Sequence, residues 1–181
     1  MTKLKKLLES YTEFISIPWT HNIDPEQRIV FCVYNEIDEN RVRAKIGEFE
    51  LATKQAGHGW NLYDITDIYP KWIVHEKYVE KLFKNPSKVG TAIGSRFLPH
   101  IVSEYESFLN TIPNNPESVV AVIGAGTLYS VVRVKEVVDV IAPKFSGKLV
   151  VFFPGRFSEN NYRLLDGYDG WSYRAIPILD M

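Results

Sequence analysis

Ile123-Gly-Ala-Gly-Thr-Leu-Tyr129 puts two glycines just past an apolar run, where backbone N–H groups can approach a phosphate. A dinucleotide fingerprint needs a third small residue where Tyr129 stands, and it opens the first βαβ unit of a chain, which this run does not. A tight strand exit with room for packing accounts for the same glycines. The loop after the first apolar run, Asn35-Glu-Ile-Asp-Glu39, has no glycine and no lysine. Its three carboxylates would repel a polyphosphate, so no phosphate-binding loop is expected there.

Asp64, Gly124, Gly126, Pro154, Gly155 and Arg156 all follow apolar runs, on the edge where open α/β sheets bind ligands. Asp64 has the chemistry to hold a magnesium ion, or to cap a helix. If the chain is a small hydrolase or a nucleotide-dependent enzyme, Asp64, Gly124 and Arg156 are its site. His21, His58, His75 and His100 form no i, i+4 pair and have no cysteine partner, so no metal centre is expected. His58 lies between Gly57 and Gly59 at a helix-to-strand turn. It is a candidate base or ligand, or a turn histidine bonded to local backbone, and such a turn lies at the edge opposite the usual active site. Cys32 sits inside the apolar run Arg28–Tyr34 and reads as a small core residue. No serine or cysteine stands beside an identifiable base, so no catalytic residue is assigned and no cofactor is expected.

The elements that must position these residues follow from periodicity. Leu4, Leu7, Leu8, Tyr11, Phe14 and Ile15 mark a first helix, ended before Pro18. Residues 28–34, 60–65, 119–123, 148–153 and 174–178 read as strands, the central ones apolar on both faces as in a buried parallel sheet. Pro177 places the last at an edge or a strand end. Between them come a helix over 39–56 capped by Asp38, a helix after Thr66 or Asp67 with Ile68, Trp72, Val79 and Phe83 inward, and a long helix over about 87–112. Pro99 kinks that helix or divides it. Ser130 is the expected cap of a helix that buries Val131, Val134, Val138 and Ile141. The alternation predicts one domain over residues 1–181: a three-layer α/β/α sandwich with a mostly parallel five-stranded sheet. It is P-loop-NTPase-like or Rossmann-like, but without a functional phosphate-binding loop.

Composition narrows the function. The 181 residues are 45% apolar, and 21 basic against 22 acidic residues leave a net charge of −1. No global field favours nucleic acid. A single cysteine excludes a disulfide framework, and no uncharged run approaches the roughly 20 residues of a membrane helix, so a soluble cytoplasmic chain is expected. DNA contact would have to come from Lys3, Lys5, Lys6, Arg41, Arg43, Lys45 and Lys54, diluted by Glu48 and Glu50.

The stretch Phe153–Asp166 leaves an apolar run through Pro154-Gly155 and turns polar. Arg156, Asn160, Asn161, Tyr162 and Arg163 offer donors, Asp166 and Asp169 acceptors, and Trp171 and Tyr173 rigid aromatic area. Arginine, tyrosine and tryptophan are frequent interface anchors, which makes this stretch a candidate partner-binding loop. Local capping by the Asn and Asp residues, with the aromatics completing the core, is the competing account.

Several segments together resemble the BREX protein BrxB family of bacterial bacteriophage-exclusion systems. They are Leu8-Glu-Ser-Tyr11, Ile17-Pro-Trp19, the run Arg43–Trp60, Gly124–Leu128, Val131-Val-Arg-Val134, Val150–Gly155, Asn160–Asp166 and Asp169-Gly-Trp171. The resemblance implies an accessory or regulatory role in phage defence, with no catalytic residues to carry over. It implies partners among a PglZ-type protein of the alkaline phosphatase superfamily, the system's large ATPase and its DNA methyltransferase, the first being the expected direct contact. DNA would then be reached only indirectly. The oligomeric state is left open by the sequence.

Overall fold

The structure is a computed structural model, and it describes residues 2–20, 22–77, 79–167 and 170–181. In chain order the elements are α1 (Lys3–Ser16), β1 (Ile29–Tyr34), α2 (Glu39–Ala44), α3 (Ile46–Gln55), β2 (Gly59–Asp64), α4 (Ile68–His75), α5 (Val79–Lys84) and α6 (Ser87–Ala92). A π-helical turn (Ile93–Phe97) leads to α7 (Leu98–Leu109), β3 (Ser118–Ile123), α8 (Val134–Ile141), β4 (Lys148–Ser158), β5 (Asn161–Leu164), β6 (Trp171–Ser172) and β7 (Ile176–Ile178). Among the described residues no helix is long and apolar enough to cross a membrane.

This is a mixed α/β fold. The strand order is β2-β3-β4-β1-β7, and each neighbouring pair on that path runs parallel. The central strands β1 and β3 are buried at every position, as strands covered on both sides must be. Alternate side chains feed two cores. Val30, Cys32 and Tyr34 join Leu7, Tyr11 and Ile15 of α1 and Phe49 of α3. Ile29, Phe31 and Val33 join side chains of α4 to α8 in the second. Successive residues of β1 thus feed two separate clusters, since neighbouring strand residues point to opposite sides. Tyr11 is tied across the first core by a 2.6 Å hydrogen bond between its hydroxyl and that of Thr53.

The expected sheet of five strands is a sheet of seven. The five expected strands are all present, and β5 and β6 add antiparallel pairing to the carboxyl half of β4. Other expectations change in detail. The helix over 39–56 is broken at Lys45 into α2 and α3, and Asp38 does not cap it; its carboxylate takes Arg41 at 2.7 Å instead. The helix after Asp67 ends at His75 and a second starts at Val79, which turns Leu82 inward and leaves Phe83 65% exposed. Pro99 sits in the first turn of α7, where its missing N–H costs nothing, and the π-helical turn before it absorbs the discontinuity. Ser130 caps no helix: it has φ +60 in a turn, and α8 begins only at Val134. Pro177 does lie on an edge strand.

Candidate functional site

Two regions hold the residues singled out from the sequence. The first is the carboxyl edge of the parallel strands. Arg43, from α2, reaches over this edge and gathers its polar groups. Its Nε donates to Glu39 Oε1 at 2.7 Å, one Nη donates to the Thr66 hydroxyl at 2.7 Å, and the other lies 3.5 Å from Asp64 Oδ2. Asp64 in turn accepts the Thr66 N–H at 2.9 Å and the Thr66 hydroxyl. The Tyr34 hydroxyl donates to the second oxygen of Glu39. Burial alone would pull the Arg43 guanidinium down, but its bond to Glu39 and the charges of Glu39 and Asp64 outweigh this and hold it above its ordinary value. Burial first, and the Glu39 contact second, push the Tyr34 phenol far up.

Gly124 and Gly126 are structural here. Gly124 has φ +90, and a Cβ on it would lie 2.6 Å from both the backbone N and the hydroxyl of Thr66. It is the residue that lets the loop after β3 press against the loop after β2. The Thr127 hydroxyl donates back to Gly124 O at 2.8 Å. The shallow cleft left at this edge, about 350 Å³, is lined by Glu36, Glu39, Arg43 and Thr66 on one side and by Gly126 and Pro154 on the other. One oxygen of Glu36 is buried there without a hydrogen-bond partner. Carboxylates outnumber the one guanidinium, so the cleft repels a polyphosphate. Arg156 does not line it.

Asp64, Gly124 and Gly126 are thus brought together, and His58 is not. His58 stands at the amino edge of the sheet, beside the start of β2, with its ring stacked on Trp19 at 3.7 Å and its Nδ1 3.2 Å from Glu117. Arg43, in the sequence a candidate only for DNA contact, and Thr66, a candidate only for a helix cap, complete this network. The four-residue spacing of Glu39 and Arg43 was the available signal.

The second region is the carboxyl half of β4. The chain does not leave the sheet as a loop at Pro154-Gly155, as the residue types suggested. Both are buried strand residues, and β4 continues through them to Ser158. A Cβ on Gly155 would lie 2.0 Å from Arg163 O, so this close approach of β5 needs glycine. Glu159 (φ +50) and Asn160 (φ +62) then make a two-residue turn with both central residues left-handed. Strand β5 returns in the register Gly155↔Leu164, Arg156↔Arg163, Phe157↔Tyr162 and Ser158↔Asn161, and β6 adds Tyr162↔Trp171 and Asn161↔Ser172.

The pleat sorts this small sheet into two faces. Phe157, Tyr162, Leu164 and Trp171 turn inward onto Phe31 and Phe153. Tyr162, expected as a contact residue, is fully buried, and its hydroxyl donates to Ala175 O at 2.8 Å. Burial pushes its phenol far up. Trp171 is half-buried, edge-on to Phe31 and Phe153 at 6.0 Å. Arg156, Ser158, Asn161, Arg163 and Ser172 turn outward, Asn161 half-buried and the others exposed. Asn160 is exposed at the turn and Asp166 in the β5–β6 connection, while Asp169 lies outside the described residues. Arg156 and Arg163 stand directly opposite each other, and among the described residues neither has an ion pair. Like charges in that position destabilise a strand pair.

Residues 61–178, well over half of the chain, match the protein family described as BREX protein BrxB. The match takes in most of β2, β3, all of β4 and the hairpin, and it begins after the run Arg43–Trp60. No curated protein and no solved structure matches the chain.

Proposed function

Because the chain belongs to the BrxB family and so has a role in BREX phage defence, we propose that within that system it is a non-enzymatic subunit that binds an acidic surface of another component through the outer face of the β4–β5 hairpin. One observation carries this reading: Arg156 and Arg163 oppose each other, and no described carboxylate pairs with either. An isolated chain gains nothing from that arrangement, whereas a partner carboxylate set between two guanidinium forks can be held by both. The hairpin is rigid, because its inner face is built into the aromatic core, so docking orders little that is not already ordered.

The competing readings have less support. An enzyme site at Asp64 and Gly124 lacks Arg156, and the polar groups there are committed to one another through Arg43. For direct DNA binding, five of the seven basic residues named above are paired to carboxylates: Lys5, Arg41, Arg43, Lys45 and Lys54. The PglZ-type component is the proposed direct partner and is tested first, then the ATPase and the methyltransferase. Each is co-expressed with the wild-type chain and with Arg156→Glu/Arg163→Glu, and retention is measured. The double variant is expected to keep its melting temperature and to lose retention at least tenfold, about 1.4 kcal/mol. Full retention by the folded double variant refutes the docking face.

A further inference from the structure

The path of parallel strands ends at β7 on one side and at β2 on the other. An end strand has a row of backbone N–H and C=O groups with no neighbouring strand, and proteins blunt such rows with short strands, proline or lysine. Strand β7 is blunted: it has three residues, and Pro177 in its middle has no N–H to offer. Strand β2 is not. It runs six residues, Gly59-Trp-Asn-Leu-Tyr-Asp64, in unbroken register with β3, and it contains no proline, lysine or arginine.

Two bonds fix which of its groups face outward. The Gly59 N–H donates to Glu117 O at 3.0 Å, and the Ile65 N–H donates to Ile123 O at 3.0 Å. Alternate residues of a strand send their backbone groups to the same side. Asn61 and Tyr63 therefore bond β3 as well, and Trp60, Leu62 and Asp64 turn their N–H and C=O away from it. Among the described residues no hydrogen bond reaches the outward groups of those three. Nor is the strand covered: Leu62 is 40% exposed, and Asp64 is exposed too.

An outward row of donors and acceptors is matched by another extended strand, and β2 is matched by itself. In an antiparallel pair, the two residues that exchange bonds must both have outward groups. About a two-fold axis, one register satisfies Trp60, Leu62 and Asp64 together. It sets Leu62 against Leu62 of the second copy and Trp60 against Asp64, with two backbone hydrogen bonds in each pairing. Every other register leaves at least one of the three unmatched, and centring on Asp64 would also oppose two carboxylates. With Leu62 on the axis, the two Asp64 residues lie about 13 Å apart along the strands, beyond the screening length at physiological salt. Each Asp64 is met within its own chain by Arg43 at 3.5 Å, and Glu117, at the amino end that it would approach, is 3.2 Å from His58. No unpaired like charges are brought together.

We propose that β2 is a self-association edge: two copies of this chain pair antiparallel through Gly59–Asp64 about a two-fold axis at Leu62 and join their sheets into one. The hairpin on β4 lies two strands away and is not used, so the docking face stands or falls separately. One strand pair is at the small end of specific interfaces, which makes the association concentration-dependent.

Sedimentation of the full chain from about 1 to 200 µM tests this, a range suited to a small interface. The weight-average mass is expected to rise from 20.8 kDa towards twice that value. Leu62→Pro removes the outward N–H on the axis and no bond to β3, so it should weaken association at least tenfold while the dilute protein keeps its melting temperature. If Leu62→Pro melts early, Leu62→Lys decides, because it changes only an exposed side chain and opposes two ammonium groups across the axis. Leu62→Cys gives the register: facing Cα atoms in a bonded antiparallel pair lie about 5.5 Å apart, within disulfide reach, and Cys32 is buried. Oxidation is expected to link Leu62→Cys into a covalent dimer and to leave Leu51→Cys, exposed on α3, monomeric. A wild-type chain that stays monomeric throughout overturns the proposal. So does a dimer that persists at full strength in the folded Leu62→Pro or Leu62→Lys protein, or equal linking of the two cysteine variants.

Discussion

Tyr162→Ala separates a core hairpin from a surface loop. The ring is fully buried and meets Phe157 at 4.6 Å, Phe31 at 4.8 Å, Trp171 at 5.5 Å and Phe153 at 5.8 Å between centroids. Truncating a buried aromatic of this size costs about 3–5 kcal/mol, the lost transfer free energy plus the cavity left behind. For a chain of 181 residues each kcal/mol is worth roughly 2–4 °C, so the melting temperature should fall by about 6–20 °C. Tyr162→Phe removes only the hydroxyl and leaves Ala175 O without its 2.8 Å donor, a cost of about 1–2 kcal/mol and roughly 2–8 °C. Thermal and urea unfolding of the wild type and both variants measure this, and the order wild type, Phe, Ala is the essential result. A Tyr162→Ala protein that melts with the wild type would mean that the ring stands in solvent and that the hairpin faces are assigned the wrong way round.

Two further outcomes test the rest of the fold. Gly124→Ala must place a Cβ against the Thr66 backbone at φ +90, so it should cost more than about 2 kcal/mol; a melting temperature within about 1 °C of wild type would refute the close approach of the two loops. Burial pushes the Tyr63 phenol up to about 12 and those of Tyr11, Tyr34, Tyr105, Tyr162 and Tyr173 further. An unfolded tyrosine releases its proton near 10, and these folded ones release it later, so their contribution to stability is complete below about pH 10 and is lost as pH rises above it, at roughly 1.4 kcal/mol per unit for each. Urea unfolding between pH 8 and 11 checks the sign, and level stability up to pH 11 would contradict it.

The parallel strands were legible because burial on both faces writes a continuous apolar run, as in Arg28–Tyr34 and Val119–Ile123. The hairpin was not, for two reasons. Its outward positions carry Arg156 and Ser158, which break the run where β4 passes into the hairpin, and its turn is Glu159-Asn160 instead of a glycine pair. Polar residue types at the turn then made the buried Tyr162 look like part of a contact loop. The breaks at Lys45 and after His75 were invisible because the apolar spacing runs through them, and one residue of phase decides between Leu82 and Phe83. Asp64, Gly124 and Gly126 were placed by a general rule about strand ends. The network that occupies that edge needed Arg43 and Thr66, which are brought to Asp64 only by the fold.

Strand β4 belongs to two sheets at once. Its first half lies between β3 and β1, paired along both sides, and its second half is the hairpin strand that carries Arg156. A partner that pulls on the hairpin along the β4 axis therefore loads the middle of the molecule in shear. The bonds to β1 over Leu149–Pro154 and to β3 over Lys148–Val151 must then yield together, and cannot open one at a time like a zip. A tether made this way resists tension far better than a peripheral loop would, and a subunit docked at this face would be anchored mechanically to the centre of the sheet.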